Sequence, residues 1–267
     1  MVAKQLDGYI KPELMACCGA REIQENNIVL VGTGFPTMAA NIAKHTHAPN
    51  ARLMQESGVY DARPKRPALS VGDPCLNPGA AMIGGLMDIM GMGLQAGNVD
   101  VGFLSGSQVD KFGNINTTCI GDYENPKSRL PGSGGANPIG SLVKRVLIIA
   151  LHDTRRLAEK VDFITTPGYI DGPGAREKHG LPPGTGPHVI ITNKAVMRFD
   201  KSTGEAYLDT YHPDTTVEEV VKNTPWDLKV SPDVRETEPP TEFELRVLRE
   251  VLDPKRMISA YISRGYV

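Results

Sequence analysis

The sequence contains no Cys-x-x-Cys pair. Its four cysteines are Cys17, Cys18, Cys75 and Cys119, the first two adjacent, and that pattern argues against both a zinc site and a disulfide framework. Neither sign of charge dominates. The formal net charge is −2, so no basic footprint for nucleic acid is expected. No Gly-x-Ser-x-Gly pentapeptide occurs, which disfavours a nucleophile-elbow hydrolase. The longest apolar run, residues 79–94, is broken by Asp88 and rich in glycine, and falls short of a membrane span. Residues 1–7 lack the apolar core of a signal peptide. The expectation is a cytoplasmic protein that contacts neither membrane nor nucleic acid and binds no metal.

Glycine and proline are plentiful, 28 and 21 in 267 residues, and imply many tight loops, the usual place for a site. Residues 28–31, Ile-Val-Leu-Val, form the continuous apolar run of a strand covered on both faces. Gly32 and Gly34 then turn the chain, and Pro36 suits the first turn of a helix over residues 38–43. Thr37 stands where the dinucleotide fingerprint requires glycine, so a nicotinamide cofactor is disfavoured; such a turn can still face a phosphate or carboxylate. Further strands are predicted at 53–54, 100–104, 145–151 and 161–164, with a buried helix over 80–92. A hairpin is predicted from 189–192 and 195–199, with 206–208 beside it. Thr216 and Glu219 form a capping box that starts a helix. Residues 242–252 read as an amphipathic helix, which the proline-rich link 232–240 would let swing onto a neighbouring subunit. Parallel-type strands fill the first two thirds and antiparallel ones the last, giving one α/β domain over 1–267 with an appended hairpin region.

Two stretches carry the chemistry. In Leu53-Met54-Gln55-Glu56-Ser57-Gly58 a carboxylate sits at the C-terminal lip of a short strand, where open α/β sheets bind ligands. Spacing alone leaves open whether Glu56 is a site residue or one solvated acid among 31 Asp and Glu. In Gly132-Ser133-Gly134-Gly135-Ala136-Asn137 three glycines within four positions let backbone N–H groups point the same way, a nest able to hold an oxyanion. The same stretch reads equally as a plain flexible loop. The basic loop at 61–67 fits an anionic substrate or a solvated face. The loop at 166–177 is long for an idle connection. His45 and His47, two apart, do not share a helical face as a metal pair would.

Taken in order, Val31-Gly32-Thr33-Gly34, Glu56-Ser57-Gly58, Gly106-Ser107-Gln108-Val109-Asp110, Gly113-Asn114-Ile115-Asn116, Gly121-Asp122-Tyr123, the 132–137 loop and Thr166-Pro167-Gly168-Tyr169-Ile170-Asp171-Gly172-Pro173-Gly174 form a specific series. It resembles the β subunits of family I coenzyme A transferases, glutaconate-type members in particular, over residues 25–255. The resemblance implies an open, Rossmann-like, mostly parallel sheet and a homologous α subunit, in an α2β2 or larger assembly, that completes the active site. It implies that Glu56 is the catalytic nucleophile and that amides of Gly134, Gly135 or Ala136 form the oxyanion site. Gly32, Gly34, Gln108 and Asn116 become candidate substrate or CoA contacts. The implied reaction moves CoA from an acyl-CoA to a carboxylic acid, glutaconate-like dicarboxylic acids included, by ping-pong steps through a glutamyl-CoA thioester. No permanent cofactor is implied, CoA being substrate and covalent intermediate. The alternative within the family is a CoA-thioester hydrolase or C–C lyase with Glu56 as general base.

Overall fold

The computed structural model describes residues 5–256, with Asp7, Lys65, Pro67 and Leu69 excepted. It divides into two compact units, one running to Phe103 and resuming at Glu238, the other spanning Leu104–Thr237.

In the first unit, helix α1 (Lys11–Arg21) precedes strand β1 (Ile28–Leu30), helix α2 (Phe35–His45) and strand β2 (Arg52–Met54). Strand β1 pairs in parallel with β2, Val29 opposite Leu53. On its other side it pairs in parallel with the later strand Val101–Ser105. Val29 and Leu30 are buried, as a strand covered on both faces should be. Alanines and Gly19 let the two helices approach closely: a Cβ on Gly19 would stand 3.1 Å from Ala39 Cβ. After β2 the chain reverses into β3 (Val59–Tyr60), and β4 (Met82–Ile83) adds an antiparallel edge.

The helix expected over 80–92 takes another form. Met82 and Ile83 are in β4, and a π-helix occupies Asp88–Gln95. Only Ile89 and Leu94 of the π-helix are buried, while Ile83, Leu86, Met87 and Met92 are exposed. Four glycines in twelve residues, Gly84, Gly85, Gly91 and Gly93, weaken a regular helix, and the apolar count misled because the run does not face a core.

The terminal helix Glu242–Arg246 starts on a full capping box between Thr241 and Glu244, and wider π turns continue it over Val247–Leu252. It is clamped inside the first unit. Arg21 pairs with Glu244 at 2.9 Å and bonds the carbonyls of Glu238 and Pro239. Arg249 pairs with fully buried Glu13 at 2.7 Å. The swing expected of this helix is opposed by both ion pairs.

Strand β5 (Val101–Ser105) leads the chain into the second unit. There β6 (Gln108–Val109) and β7 (Ile115–Asn116) make a small hairpin, followed by helix α3 (Ala136–Leu142). Strand β8 (Arg145–Ala150) pairs in parallel with β9 (Pro187–Thr192). Then β10 (Ala195–Phe199) and β11 (Ala206–Tyr211) continue antiparallel. Thr216 accepts from the Glu219 amide and caps the helix Val217–Lys222, the threonine half of the expected box, while the Glu219 carboxylate pairs with Lys194. Residues 161–164 form no strand; Phe163 there stacks on Tyr123 with centroids 5.2 Å apart. Conversely β12 (Lys229–Glu236) runs parallel to β11 where a link is expected. Its mostly exposed residues lack strand alternation, and Pro232 is tolerated at a sheet edge. The class expected from the sequence, α/β with a mostly parallel sheet and an antiparallel hairpin region, is the class observed.

Candidate active site

Glu56 lies between β2 and β3 in the three-residue loop 56–58, which Gln55 and Val59 close. Gly58 N–H donates to Gln55 O at 3.0 Å and Gln55 N–H to Val59 O at 2.9 Å. Gly58 closes the loop at φ +110°, the positive φ such loops assign to their last residue. A Cβ there would meet the Gly84 carbonyl oxygen at 1.9 Å, and the Gly84 amide bonds Gly58 O at 2.9 Å. Glycine is therefore required twice over, by conformation and by space. Gln55 is buried beneath the loop and Glu56 half-buried above it. Among the described residues no hydrogen-bond donor or cation engages the Glu56 carboxylate. Exposed Ile83, Leu86 and Met87 flank Gly84 and Gly85 and give this turn an apolar border. Asp88 holds that border by accepting from the Gly85 amide at 2.7 Å.

The glycine loop of the second unit is a tight turn leading into α3. The Ala136 amide donates to Ser133 O at 2.9 Å, with φ +49° at Gly134 and −76° at Gly135, the signs of a type II′ turn. The Asn137 amide bonds the Ser133 hydroxyl at 3.0 Å. Among the described residues, nothing accepts from the amides of Gly134 and Gly135. Of the three amides singled out from the sequence, Ala136 is thus engaged internally while Gly134 and Gly135 are open. Threonines pin both flanks of the turn. Gly132 N–H bonds Thr117 O at 2.7 Å, Thr117 N–H bonds Thr165 Oγ1 at 2.9 Å, and Asn137 Nδ2 bonds Thr165 O at 2.8 Å. Sequence reasoning missed Thr117 and Thr165 as its supports, because a bond that spans 48 positions leaves no local pattern.

Gln108 and Asn116 come together. Asn116 Nδ2 donates to Gln108 Oε1 at 2.7 Å and to Cys119 O at 2.6 Å, while Asn116 Oδ1 accepts from the Thr118 amide. Gln108 Nε2 reaches Asp162 at 3.1 Å, and Asp162 accepts from the Gly121 amide. Both amide side chains are buried and knit the 116–121 loop. The neighbouring Asp110 carboxylate receives Asn114 Nδ2 and the amides of Phe112 and Asn114. Burial pushes its pKa up, and these donors pull it part of the way back.

Gly32 and Gly34 precede α2, Gly34 at φ +76°, and a Cβ on either would meet nothing within 4 Å. The backbone here is open, and Thr37 Oγ1 bonds Gly32 O and fastens the turn. In the basic loop, Arg66 makes a two-pronged pair with Asp73 at 2.8 Å, so its charge is already met. Lys65 and Pro67 of that loop lie outside the described residues. His47 bonds Ile23 O rather than joining His45 in a metal pair. Among the described residues no His, Cys, Asp and Glu cluster could hold a metal ion, and no helix is long and apolar enough to cross a membrane.

Comparison with known proteins agrees with this architecture. The coenzyme A transferase family model matches residues 13–223. The B subunit of glutaconate CoA-transferase from Acidaminococcus fermentans is 39% identical over 253 residues, covering 92% of this chain and 93% of that protein. The B subunit of 3-oxoadipate CoA-transferase from Pseudomonas knackmussii is 42% identical over 244 residues, 91% and 94% of the two chains. The crystal structure of glutaconate coenzyme A-transferase from A. fermentans superposes with a TM-score of 0.89 at 36% identity, covering 95% of this chain and 98% of that one. The chain belongs to the coenzyme A transferase family. It is an enzyme of that class.

Proposed function

We propose that this chain is the β subunit of an acyl-CoA:carboxylate CoA-transferase, acting by ping-pong steps through a glutamyl-CoA thioester on Glu56. The observation that carries the proposal is a half-buried carboxylate on a glycine-locked hairpin loop, with no described partner to neutralise it. A free carboxylate held in one place is what covalent catalysis asks of this residue type. The turn would then keep it aimed while the apolar border of Ile83, Leu86 and Met87 lowers the water content around the reacting thioester.

In the first half-reaction a Glu56 carboxylate oxygen attacks the thioester carbonyl. The C–S bond breaks, leaving an acyl–glutamyl anhydride and CoA thiolate. The thiolate returns to the glutamyl carbonyl, expels the donor's carboxylate and forms the Glu56–CoA thioester. The acceptor carboxylate repeats these steps in reverse. Each tetrahedral species puts negative charge on a carbonyl oxygen, and we assign its stabilisation to the open amides of Gly134 and Gly135, with Ala136 shaping the turn. The Gly32–Gly34 turn is assigned to an anionic part of CoA or substrate, and Gln108 with Asn116 to holding the loops that border the acyl pocket.

The relatives' names as B subunits support an α-subunit partner that completes the site, and glutaconate and 3-oxoadipate in those names support a dicarboxylic acid. On this reading the two units serve one β-subunit domain. The test is product analysis with the co-expressed complex. Transfer requires an acceptor acid and yields a new acyl-CoA. Free acid and free CoA formed without an acceptor would instead make Glu56 a general base in hydrolysis.

A further inference from the structure

Arg176 is 2% exposed, and among the described residues no carboxylate faces it at ion-pair distance. A buried guanidinium without a counter-ion is costly unless hydrogen bonds satisfy it. Here Nη1 and Nη2 bond only neutral oxygens, and among the described residues Nε has no partner. Nη1 donates to the carbonyls of Pro167 (3.0 Å) and Gly168 (2.9 Å). Nη2 donates to those of Gly140 (3.1 Å) and Ser141 (3.0 Å) and to Thr185 Oγ1 (2.8 Å). Three segments distant in sequence, the last turn of α3, the 167–168 loop and the 182–186 loop, therefore converge on one side chain. Backbone closes over it at Gly186, where a Cβ would lie 3.1 Å from Arg176 Nε.

Helix α3 needs such an anchor. It has seven residues, Ala-Asn-Pro-Ile-Gly-Ser-Leu, too few to hold a helix by itself, and both proline and glycine lie inside it. Three of its residues are buried, Ile139, Gly140 and Ser141, so no broad apolar face fixes its direction. Its position must come from contacts at its ends. Asn137 ties the first turn to Thr165 O, and Gly140 lies so near Thr166 that a Cβ would be 2.1 Å from its methyl group. Arg176 joins the last turn to the same 165–168 segment. A cation at a helix C-terminus also meets the partial negative charge of its free carbonyls.

We propose that Arg176 is a positioning residue: by locking the C-terminal carbonyls of α3 to the Pro167–Gly168 backbone, it sets where the N-terminal turn of α3 presents the Gly134 and Gly135 amides. The inference rests on the assignment of those amides as oxyanion donors. A displacement of about 1 Å at a catalytic group can cost on the order of a hundredfold in rate, so a loosened anchor should appear in turnover rather than in substrate affinity.

The experiment uses the co-expressed complex with Arg176→Lys and Arg176→Ala. The lysine keeps the charge but lacks the planar fork that reaches all five oxygens. Expected are a kcat lowered about 10- to 100-fold, a KM for acyl-CoA within about threefold, and partial recovery of kcat in Arg176→Ala when guanidinium ion is added at low concentration. Unchanged kcat per folded molecule, with only the melting temperature lowered, overturns the proposal. So does a guanidinium effect on stability that leaves kcat unmoved. If neither variant folds, Thr185→Val removes a single acceptor; a several-fold loss of kcat supports the anchor and an unchanged kcat overturns it. Gly135→Pro separates the two levels of inference. If it leaves kcat intact, the oxyanion assignment itself fails; if it lowers kcat while the Arg176 and Thr185 variants do not, only the positioning role fails.

Discussion

Replacing Gly58 with alanine should disable the Glu56 turn more than any other single methyl group added to the chain. The residue sits at φ +110°, where an L side chain costs roughly 1–2 kcal/mol. The new Cβ would stand 1.9 Å from Gly84 O and 2.6 Å from its carbonyl carbon. Backbone cannot step aside as a flexible side chain can, so the Gly84 N–H to Gly58 O bond and the Val59–Ile83 pairing must shift. Overpacking of this kind typically costs about 1–3 kcal/mol. Together the effects come to roughly 2–5 kcal/mol, within the total stability of an ordinary domain. At about 2–4 °C per kcal/mol for a chain of this size, that is a melting temperature lower by roughly 4–20 °C. The folded fraction should still lose most of its CoA-transfer activity, because the loop that carries Glu56 has moved. Gly72→Ala is the control, since a Cβ there meets nothing within 4 Å and its φ is not positive. Thermal melts and initial rates of both variants decide the matter. A Gly58→Ala protein as stable and active as Gly72→Ala would refute the reasoning.

Three further outcomes follow from the same geometry. Gly135 has φ −76°, which proline shares, so Gly135→Pro deletes one amide donor; kcat should fall about 10²–10³-fold, whereas Gly135→Ala, which keeps the N–H, should stay within several-fold of the parent. Burial lowers the pKa of His152 to about 4, where it lies between Thr192 and Thr224. The unfolded chain binds that proton near the ordinary 6.5, so stability is fully present above about 6.5 and declines by roughly 3 kcal/mol as pH falls toward 4. Urea melts across this range should show the decline, and His152→Gln should remove this contribution. Burial would raise the Glu13 carboxyl, but hydrogen bonds from Arg249 and Ile10 and the charges of Arg249 and Arg256 outweigh it and hold the pKa below the ordinary value. Glu13→Ala should cost roughly 3 kcal/mol, the low end for a broken buried pair, because Arg249 is partly exposed; calorimetry showing no change would remove the clamp from the account.

The legible parts of the fold were those encoded locally. Apolar β-branched runs at 28–31 and 145–151 are strands because no other element buries them as well. The Thr216 cap marks a real helix start. The Glu56 turn was legible because Gly58 is a local necessity. The run at 80–92 misled because apolar content does not say which way it faces, and exposed methionines look in sequence like buried ones. Strand β12 was hidden by Pro232 and by its missing alternation. The supports of the glycine loop were invisible for another reason: Thr117 to Thr165 and Arg176 to Gly140 are long-range bonds between residues with many ordinary uses. Gln108 and Asn116 were singled out as candidate contacts, and in the fold their amides bond each other, the Asp162 carboxylate and loop backbone, a pairing that only the folded register brings about.

The central claim is that Glu56 becomes covalently attached to CoA, and peptide mass mapping tests it most directly. The chain is co-expressed with its α partner, incubated with a panel of acyl-CoA thioesters that includes dicarboxylic ones, trapped and digested. The account predicts a CoA adduct, formed with release of the donor acid, on the peptide that contains Glu56. It should disappear when an acceptor acid is added and be absent from Glu56→Gln. Consumption of a thioester with no adduct at any stage, or full activity in Glu56→Gln, would contradict it.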